Sequence, residues 1–553
     1  MKKRAYGRVL LLVMWCSVLP VAGMAQESEG ENGLSFNGSL QSNMLFPQSD
    51  KKTGAQEFSE KLLMNNYLDL NLYNKWFSAG ARMEYMEHPM PGYEEDFKGW
   101  GLPHLFASVK LGGWQFTAGD FYEQFGSGLI LRTYEERSLG IDGALRGGRI
   151  AARPFTGVSL KLLGGRQRHY WKYNKAQIWG ADLELNLSEW SSLLQEKNIN
   201  LTLGVSDVVK HEKEETVMAD YSHRLNLPVN VNAWDLRAML QAGNYNFIAE
   251  YAGKNNDPTL DNGYIYKKGS ALFLSGSYSQ EGASLLLQAK RSDNIGFRSR
   301  RTITGISSFI NNLPAFSMQH TYSLAALYPY TTQPDGEWAF QGELSYYFKR
   351  NTTLGGRYGM QVKLHASHIR DIDKQSINPT HPRGTDGYTS SFFKLGDQVY
   401  YQDINLTVSK KWSALFKSDF MYSSQRNKKV ILDNFDGFVN SHIFVFDGKY
   451  QLSKKCTLRG EFQYLTTAQD RGDWVAGLLE LSVRPSLMFT LSDMYNAGTT
   501  HLHYYYAGIT FDKRGHRLQV SYGRTVEGFN CTGGVCRKVP ATKGMQISYE
   551  YTF

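Results

Sequence analysis

From about Gly33 to Phe553 the chain repeats one pattern, segments of roughly 8–13 residues in which apolar and polar side chains alternate. Cys456, Leu458, Gly460, Phe462 and Tyr464 are interleaved with Thr457, Arg459, Glu461 and Gln463. Ala181, Leu183, Leu185 and Leu187 alternate with Asp182, Glu184 and Asn186, and Leu68, Leu70 and Leu72 with Asp69 and Asn71. A strand sends successive side chains to opposite faces, so each segment predicts a strand with one apolar, aromatic face and one polar, charged face. Soluble sandwiches share that alternation. Two features favour a barrel in a membrane instead. The apolar faces often end in Tyr, Trp or Phe, as in the girdles of outer-membrane barrels. The chain also closes on Met545, Ile547, Tyr549, Tyr551 and Phe553, an alternating aromatic ending of the kind that barrel-assembly machinery recognises. Of these, Ile547, Tyr549, Tyr551 and Phe553 are the candidate assembly signal.

Connector lengths set the strand number. A closed bacterial barrel has an even number of strands, short periplasmic turns and longer outer loops. Short connectors fall at Asn74-Lys75, Gly112-Gly113, Pro154-Phe155, Gln280–Gly282 and similar points, with a longer inner connection at Ser188–Asn198. Longer ones, such as 47–63, 88–102, 209–229, 370–397 and 528–541, lie between them. Parity holds if 121–145 and 293–336 are each one outer excursion. Eleven inner and twelve outer connectors then join about 24 strands. Met318–Tyr328 is strand-like, and if it spans the count becomes 26; the expected range is 22–26. The fold class is all-β, a single large antiparallel transmembrane β-barrel.

Composition changes the picture in two places. Mean hydropathy is −0.42, and beyond the N-terminus no apolar run reaches the roughly 18 residues of a membrane-crossing helix. With 53 Gly, 34 Tyr, 30 Phe and only 15 Pro, the polar average fits strands that show lipid only every second side chain. Lys2, Lys3, Arg4 and Arg8 precede an apolar core at Leu10–Val21, and Gly23-Met24-Ala25 suits a signal-peptidase cut before Gln26. The expected organisation is a cleaved signal peptide (1–25), a short periplasmic tail (26–32) and an outer-membrane barrel (33–553). With so short a tail, no plug domain of the kind in TonB-dependent transporters is expected ahead of the first strand. The net charge of +9, less the four cations of the signal, leaves +5, too mild to point to nucleic acid.

Cysteines and histidines add little chemistry. Cys531-Thr532-Gly533-Gly534-Val535-Cys536 is expected to close as a tight disulfide loop outside the cell, because its glycines permit a sharp reversal. Cys456 belongs to an apolar face and is expected to face lipid. His365 and His368 fall on opposite strand faces, and His501 with His503 supplies fewer ligands than a structural zinc needs. No nucleophile elbow, P-loop or dinucleotide fingerprint occurs. No catalytic residue, metal or cofactor is expected.

The segment densest in charge and glycine runs from Asp120 to Arg153. Asp120, Glu123, Glu135, Glu136 and Asp142 stand among Arg132, Arg137, Arg146, Arg149 and Arg153, interspersed with Leu129, Ile130, Leu131, Leu139, Ile141 and Leu145. A solvated loop rarely carries so many apolar residues. A loop folded into the lumen does, and its charges would then form a constriction that selects permeants by sign. The same residues also suit a salt-bridge network that only stiffens the barrel. A second candidate is Asn294–Pro334, with Arg298, Arg300 and Arg301 beside Phe309, Phe316, Tyr322, Tyr328 and Tyr330.

Asp120-Phe121-Tyr122-Glu123-Gln124-Phe125-Gly126-Ser127-Gly128-Leu129, followed by Tyr134-Glu135-Glu136-Arg137 and Leu139-Gly140-Ile141-Asp142, is similar to the signature of an uncharacterised barrel family. Ala326-Leu327-Tyr328-Pro329-Tyr330 resembles that family as well. The chain as a whole resembles large outer-membrane barrels of Bacteroides-type (Bacteroidota) bacteria. The resemblance implies a fold and a compartment, and no activity. The leading expectation is a porin-like barrel for passive passage of small polar solutes. The alternatives are a non-transporting subunit or scaffold of a secretion or assembly complex, or a surface adhesin or receptor. The implied partners are outer-membrane lipid, the barrel-assembly machinery during biogenesis, small polar solutes and, in the alternatives, a protein.

Overall fold

The computed structural model describes residues 33–553, apart from 56–57, 214 and 434–436. The expected signal peptide (1–25) and tail (26–32) lie outside the described residues. Within them, the alternating segments form one antiparallel sheet that closes on itself. The sheet has 25 strands, one of which, Lys172–Tyr173, pairs only with the end of Val158–His169. The other 24 go round the barrel. Closure joins the first strand, Ser35–Pro47, to the last, Lys543–Thr552, in register from Ser39 opposite Thr552 to Pro47 opposite Gly544. All backbone ladder groups are thereby paired within the wall, which a bilayer demands because it offers them no water.

Eleven connections lie at one end and twelve at the other. The first set is mostly tight turns, such as Gly112-Gly113 and Arg514-Gly515; 187–198 and 349–359 are longer. The second set holds the long loops, the end that faces outward in bacterial barrels. Met318–Tyr328 forms no strand, because 294–336 leaves and re-enters the wall as a single excursion. The expected connector 370–397 is shorter than its sequence suggests. Met360–Ser376 and Tyr388–Lys411 continue past the wall as a paired hairpin, bent by register shifts after Ile369, Arg370 and Ile372.

The two faces divide as the alternation requires. Leu236, Leu287, Ile404, Phe462 and Leu491 are more than half exposed on the outer face, the apolar belt of a membrane-spanning barrel. Cys456 shares the parity of Phe462 and is a free, half-buried thiol. Phe553 packs against Phe36 and Tyr551 in tilted contacts, with centroids 5.9 and 5.3 Å apart. Gly38 makes room for that ring, since a Cβ there would lie 2.5 Å from it. The inward face is polar, and towards the short-turn end Lys363, Lys417 and Lys449 are exposed. The core sits inside the barrel at the long-loop half. Three connecting segments, 122–144, 294–336 and 525–542, fill it.

Candidate functional site

The first inward segment, 122–144, carries Phe125, Leu129, Ile130 and Leu131, all fully buried. They pack in one cluster with the wall residues Leu163, Ile178, Val208 and Val231, which take inward positions that are polar elsewhere. Backbone groups tie this segment to the second. Arg132 N–H donates to the Ile310 carbonyl at 2.8 Å, Asn312 N–H to Gly128 at 3.2 Å, and the Asn311 amide to the Leu129 carbonyl at 2.8 Å.

The second segment adds Phe297, Ile310 and Phe316 to the same cluster. It then crosses to the opposite wall, where Leu324, Ala325 and Tyr328 pack with Leu465 and Trp474. Wall amides hold its backbone there: Gln425 donates to Ala325 O at 2.9 Å and Asn427 to Pro329 O at 2.8 Å. The third segment is a hairpin, Gly528–Thr532 with Val535–Val539, closed by a disulfide between Cys531 and Cys536. It is not a free outer loop. Thr332 N–H donates to Gly534 O at 2.9 Å and Asn530 to Ser138 O at 3.0 Å, so the hairpin rests on the other two segments.

Charge gathers where 122–144 meets the wall. Arg82, on Phe77–Met86, reaches Asp69 at 2.7 Å and Glu135 at 2.8 Å. Arg168, on Val158–His169, pairs with Glu84 at 2.6 Å and with Asp142. Arg137 meets Asp69 at 2.9 Å and Glu135 at 2.6 Å, with its guanidinium over the Tyr67 ring. A second node joins Glu123 to Arg149 and to Lys161 at 2.9 Å. At the tip, Ser127 N–H donates to the Glu250 carboxylate at 2.8 Å. Burial pushes the Asp142 carboxyl up, but Arg168 and Arg82 outweigh it and hold it below its usual range. Glu123 is likewise lowered: Lys161 and Arg149 overcome burial. At Glu135 burial prevails over Arg82 and Arg137, and its pKa is raised. The first node sets four carboxylates, Asp69, Glu84, Glu135 and Asp142, against three arginines. Glu135 is the carboxylate that gives way.

The sequence-predicted residues divide. Glu123, Glu135, Arg137, Asp142 and Arg149 meet at this seam. Asp120 and Arg146 do not line the lumen. They pair with each other, 2.6 Å apart, on the face shared with Trp114 and Phe116. The reason is parity: Arg149, whose register partner is Thr117, points to the lumen, and Arg146 is an odd number of positions away. Arg132 lies by the Tyr134 ring, 5.5 Å from its centroid. Glu136 accepts from Ser138 N–H and caps a short turn. Arg153 is exposed in the short-turn connection 153–157, far from the seam. The basic cluster of the second segment also separates. Arg301 is buried against Glu212 at 3.0 Å, Arg298 pairs with Asp261, and Arg300 is exposed. The seam's wall partners Asp69, Arg82, Glu84, Lys161, Arg168 and Glu250 escaped sequence reading. Each is one polar position in an ordinary strand; Asp69, Arg82, Glu84, Lys161 and Glu250 have inward parity, whereas Arg168, one position past the inward Gln167, has the parity of the outward Leu162 and turns in at the strand's end.

The three segments and the wall enclose a cavity of about 290 Å³, bordered by Asp142, Arg168, Arg298, Phe309, Thr332 and Arg537. Its cations are already engaged: Arg168 by Glu84 and Asp142, Arg298 by Asp261, and Arg537 by the Leu139 carbonyl. The described residues hold no group of three or more His, Cys, Asp or Glu side chains placed to bind a metal ion.

No curated protein matches the chain. Among solved structures it is similar to OccAB3 of Acinetobacter baumannii, with 9% identity over 94% of this chain and 99% of that one and a TM-score of 0.36. A mutant ferric enterobactin receptor, PfeA of Pseudomonas aeruginosa, shows 10% identity over 94% and 81% with a TM-score of 0.42. The copper transporter OprC shows 10% identity over 96% and 82% with a TM-score of 0.39. Nothing about solutes or partners transfers at this degree of likeness. A family model matches residues 1–553, the whole length, and the chain belongs to that family, a family of unknown function designated DUF6029.

Proposed function

We propose that the protein is an outer-membrane, porin-like barrel that passes small polar solutes passively through the lumen, past the charged seam that holds segment 122–144 to the wall. The observation that carries this reading is the placement of that seam. Carboxylates and cations of both sides meet where the inward segment leaves the wall, and the lumen towards the short-turn end is polar and exposed. Charge lining a narrow passage selects permeants by sign. Purified full-length protein in a planar bilayer is expected to give small, discrete conductance steps. Deleting 122–144 is expected to enlarge them about threefold or more, as charge and bulk leave the lumen. Silent bilayers for both proteins would refute the channel. N-terminal sequencing of protein from the outer-membrane fraction should begin at Gln26.

A second reading, a barrel that holds a ligand or protein partner at its long-loop end, is favoured by the cavity enclosed by all three inward segments. Mild-detergent purification separates the two. A stoichiometric partner together with a silent bilayer selects the second reading.

A further inference from the structure

We propose that the outer wall carries a binding groove for a phosphate-bearing lipid headgroup, centred on Arg426. Three successive rows of outward side chains run across adjacent strands in register. The first, nearer the short-turn end, is Leu344, Leu364, Leu406, Tyr422 and Phe444, each at least a third exposed. This is the lipid belt. The next is Gly342, Ala366, Ile404, Ser424 and His442. The third, nearest the long-loop end, is Phe340, His368, Gln402, Arg426 and Asn440. In two steps of the pleat the wall therefore passes from apolar to basic and amide-bearing. That is the depth at which acyl chains give way to headgroups.

The wall is concave here. The groove has a volume of about 740 Å³, and its lining contains Arg426, His368 and His442 but no Asp or Glu. At the seam this protein balances its cations with carboxylates. Here it does not: among the described residues Arg426 has no ion-pair partner, only the Phe438 ring 4.3 Å from its guanidinium. His368 Nδ1 meets the Gln402 amide at 2.7 Å and His442 Nδ1 meets the Tyr422 hydroxyl at 2.9 Å, which orients each ring. A planar guanidinium with neighbouring N–H donors and no competing carboxylate matches a phosphate. The apolar row beside it matches the acyl chains of the same molecule. A lipid satisfies both demands, whereas a free anion satisfies only the first.

The test needs full-length protein in detergent and native mass spectrometry with dioleoyl phosphatidic acid and dioleoylglycerol, which differ only in the phosphate. The wild type is expected to retain phosphatidic acid about tenfold more than dioleoylglycerol, the worth of one charge-assisted contact. Arg426→Gln should bring retention down to the dioleoylglycerol level, and Arg426→Lys should restore part of it. Lys410→Gln removes a cation from the outward face of the adjacent strand at the short-turn end and should change nothing. Equal retention of the two lipids by the wild type would overturn the proposal without recourse to any variant. So would an equal loss in Lys410→Gln, unchanged retention in Arg426→Gln, or displacement of the lipid by inorganic phosphate at the same concentration.

Discussion

Arg82 has a side chain that is 8% exposed and lies within ion-pair range of Asp69, Glu84, Glu135 and Asp142. Truncating it would leave four carboxylates to share two arginines in a poorly hydrated space. Breaking a buried pair from one side costs about 3–5 kcal/mol. Arg82→Ala is therefore expected to release segment 122–144 before the wall unfolds, read as faster hydrogen exchange confined to that segment. Acid should act on the same contacts. Asp142 and Glu123 are held below the usual carboxylate range, so their stabilisation is complete above the unfolded pKa and is lost as pH falls through the lower folded value. Conductance should begin to change as Glu135, held above its usual range, protonates, and should rise further below about 4 as Asp142 and Glu123 follow. Gly126 is a steric counterpart. Its φ is +49°, and a Cβ there would lie 2.6 Å from the Glu250 carboxylate. Gly126→Ala should lift the segment tip from the wall at a cost of about 1 kcal/mol or more, visible as enlarged or noisier conductance steps.

At the scale of elements, three connections behave as one packed body. Segment 122–144 supplies the apolar wedge, 294–336 spans from one wall to the other, and the hairpin 528–539 braces both. The disulfide closes a loop of only a few residues, so its contribution should be about 2 kcal/mol, acting on the hairpin alone. Cys531→Ser with Cys536→Ser is expected to leave barrel assembly intact, seen as unchanged heat-modifiable migration, while proteolysis within 528–539 becomes faster. The long hairpin of 360–376 and 388–411 works differently. Its tip is bound to a neighbouring loop, with Tyr266 N–H donating to Thr385 O at 2.7 Å and Gly384 N–H to Tyr264 O at 3.1 Å. It clasps the rim rather than waving free.

At the scale of the molecule, a 24-stranded wall encloses more space than side chains can fill. The barrel therefore needs either water or folded segments within it, and it has both: packed segments at the long-loop half and exposed lysines towards the other end. This division governs what deletions do. Removing 122–144 should widen the passage without dissolving the wall, because the 24 strands close through their own ladder from Ser39–Thr552 to Pro47–Gly544. Far-ultraviolet circular dichroism of that variant should keep the strand signal of the full chain. Removing 294–336 should cost more stability, since it touches both hydrophobic clusters.

The wall was legible residue by residue. Alternation such as Cys456 to Tyr464 assigns each side chain to a face because strand geometry has a period of two whatever surrounds it. The parity of short and long connectors then set 24 strands, with 121–145 and 293–336 as single excursions. The strand-like look of Met318–Tyr328 only left a count of 26 open. Its apolar residues serve an interior contact with Trp474 and Leu465, and a short apolar run does not say which partner it meets. Leucines and isoleucine within a charged loop, Leu129 to Leu131, were visible as a sign of burial. Their partners were not, because Ile178, Val208 and Val231 lie on strands remote in sequence. Asp120 and Arg146 were grouped with Glu123 by proximity along the chain, and parity separates them. Face and strand number follow from local geometry that the chain carries with it. Which charges share the seam, and which outward rows align into a groove, depend on register between distant strands, and only the closed barrel decides that.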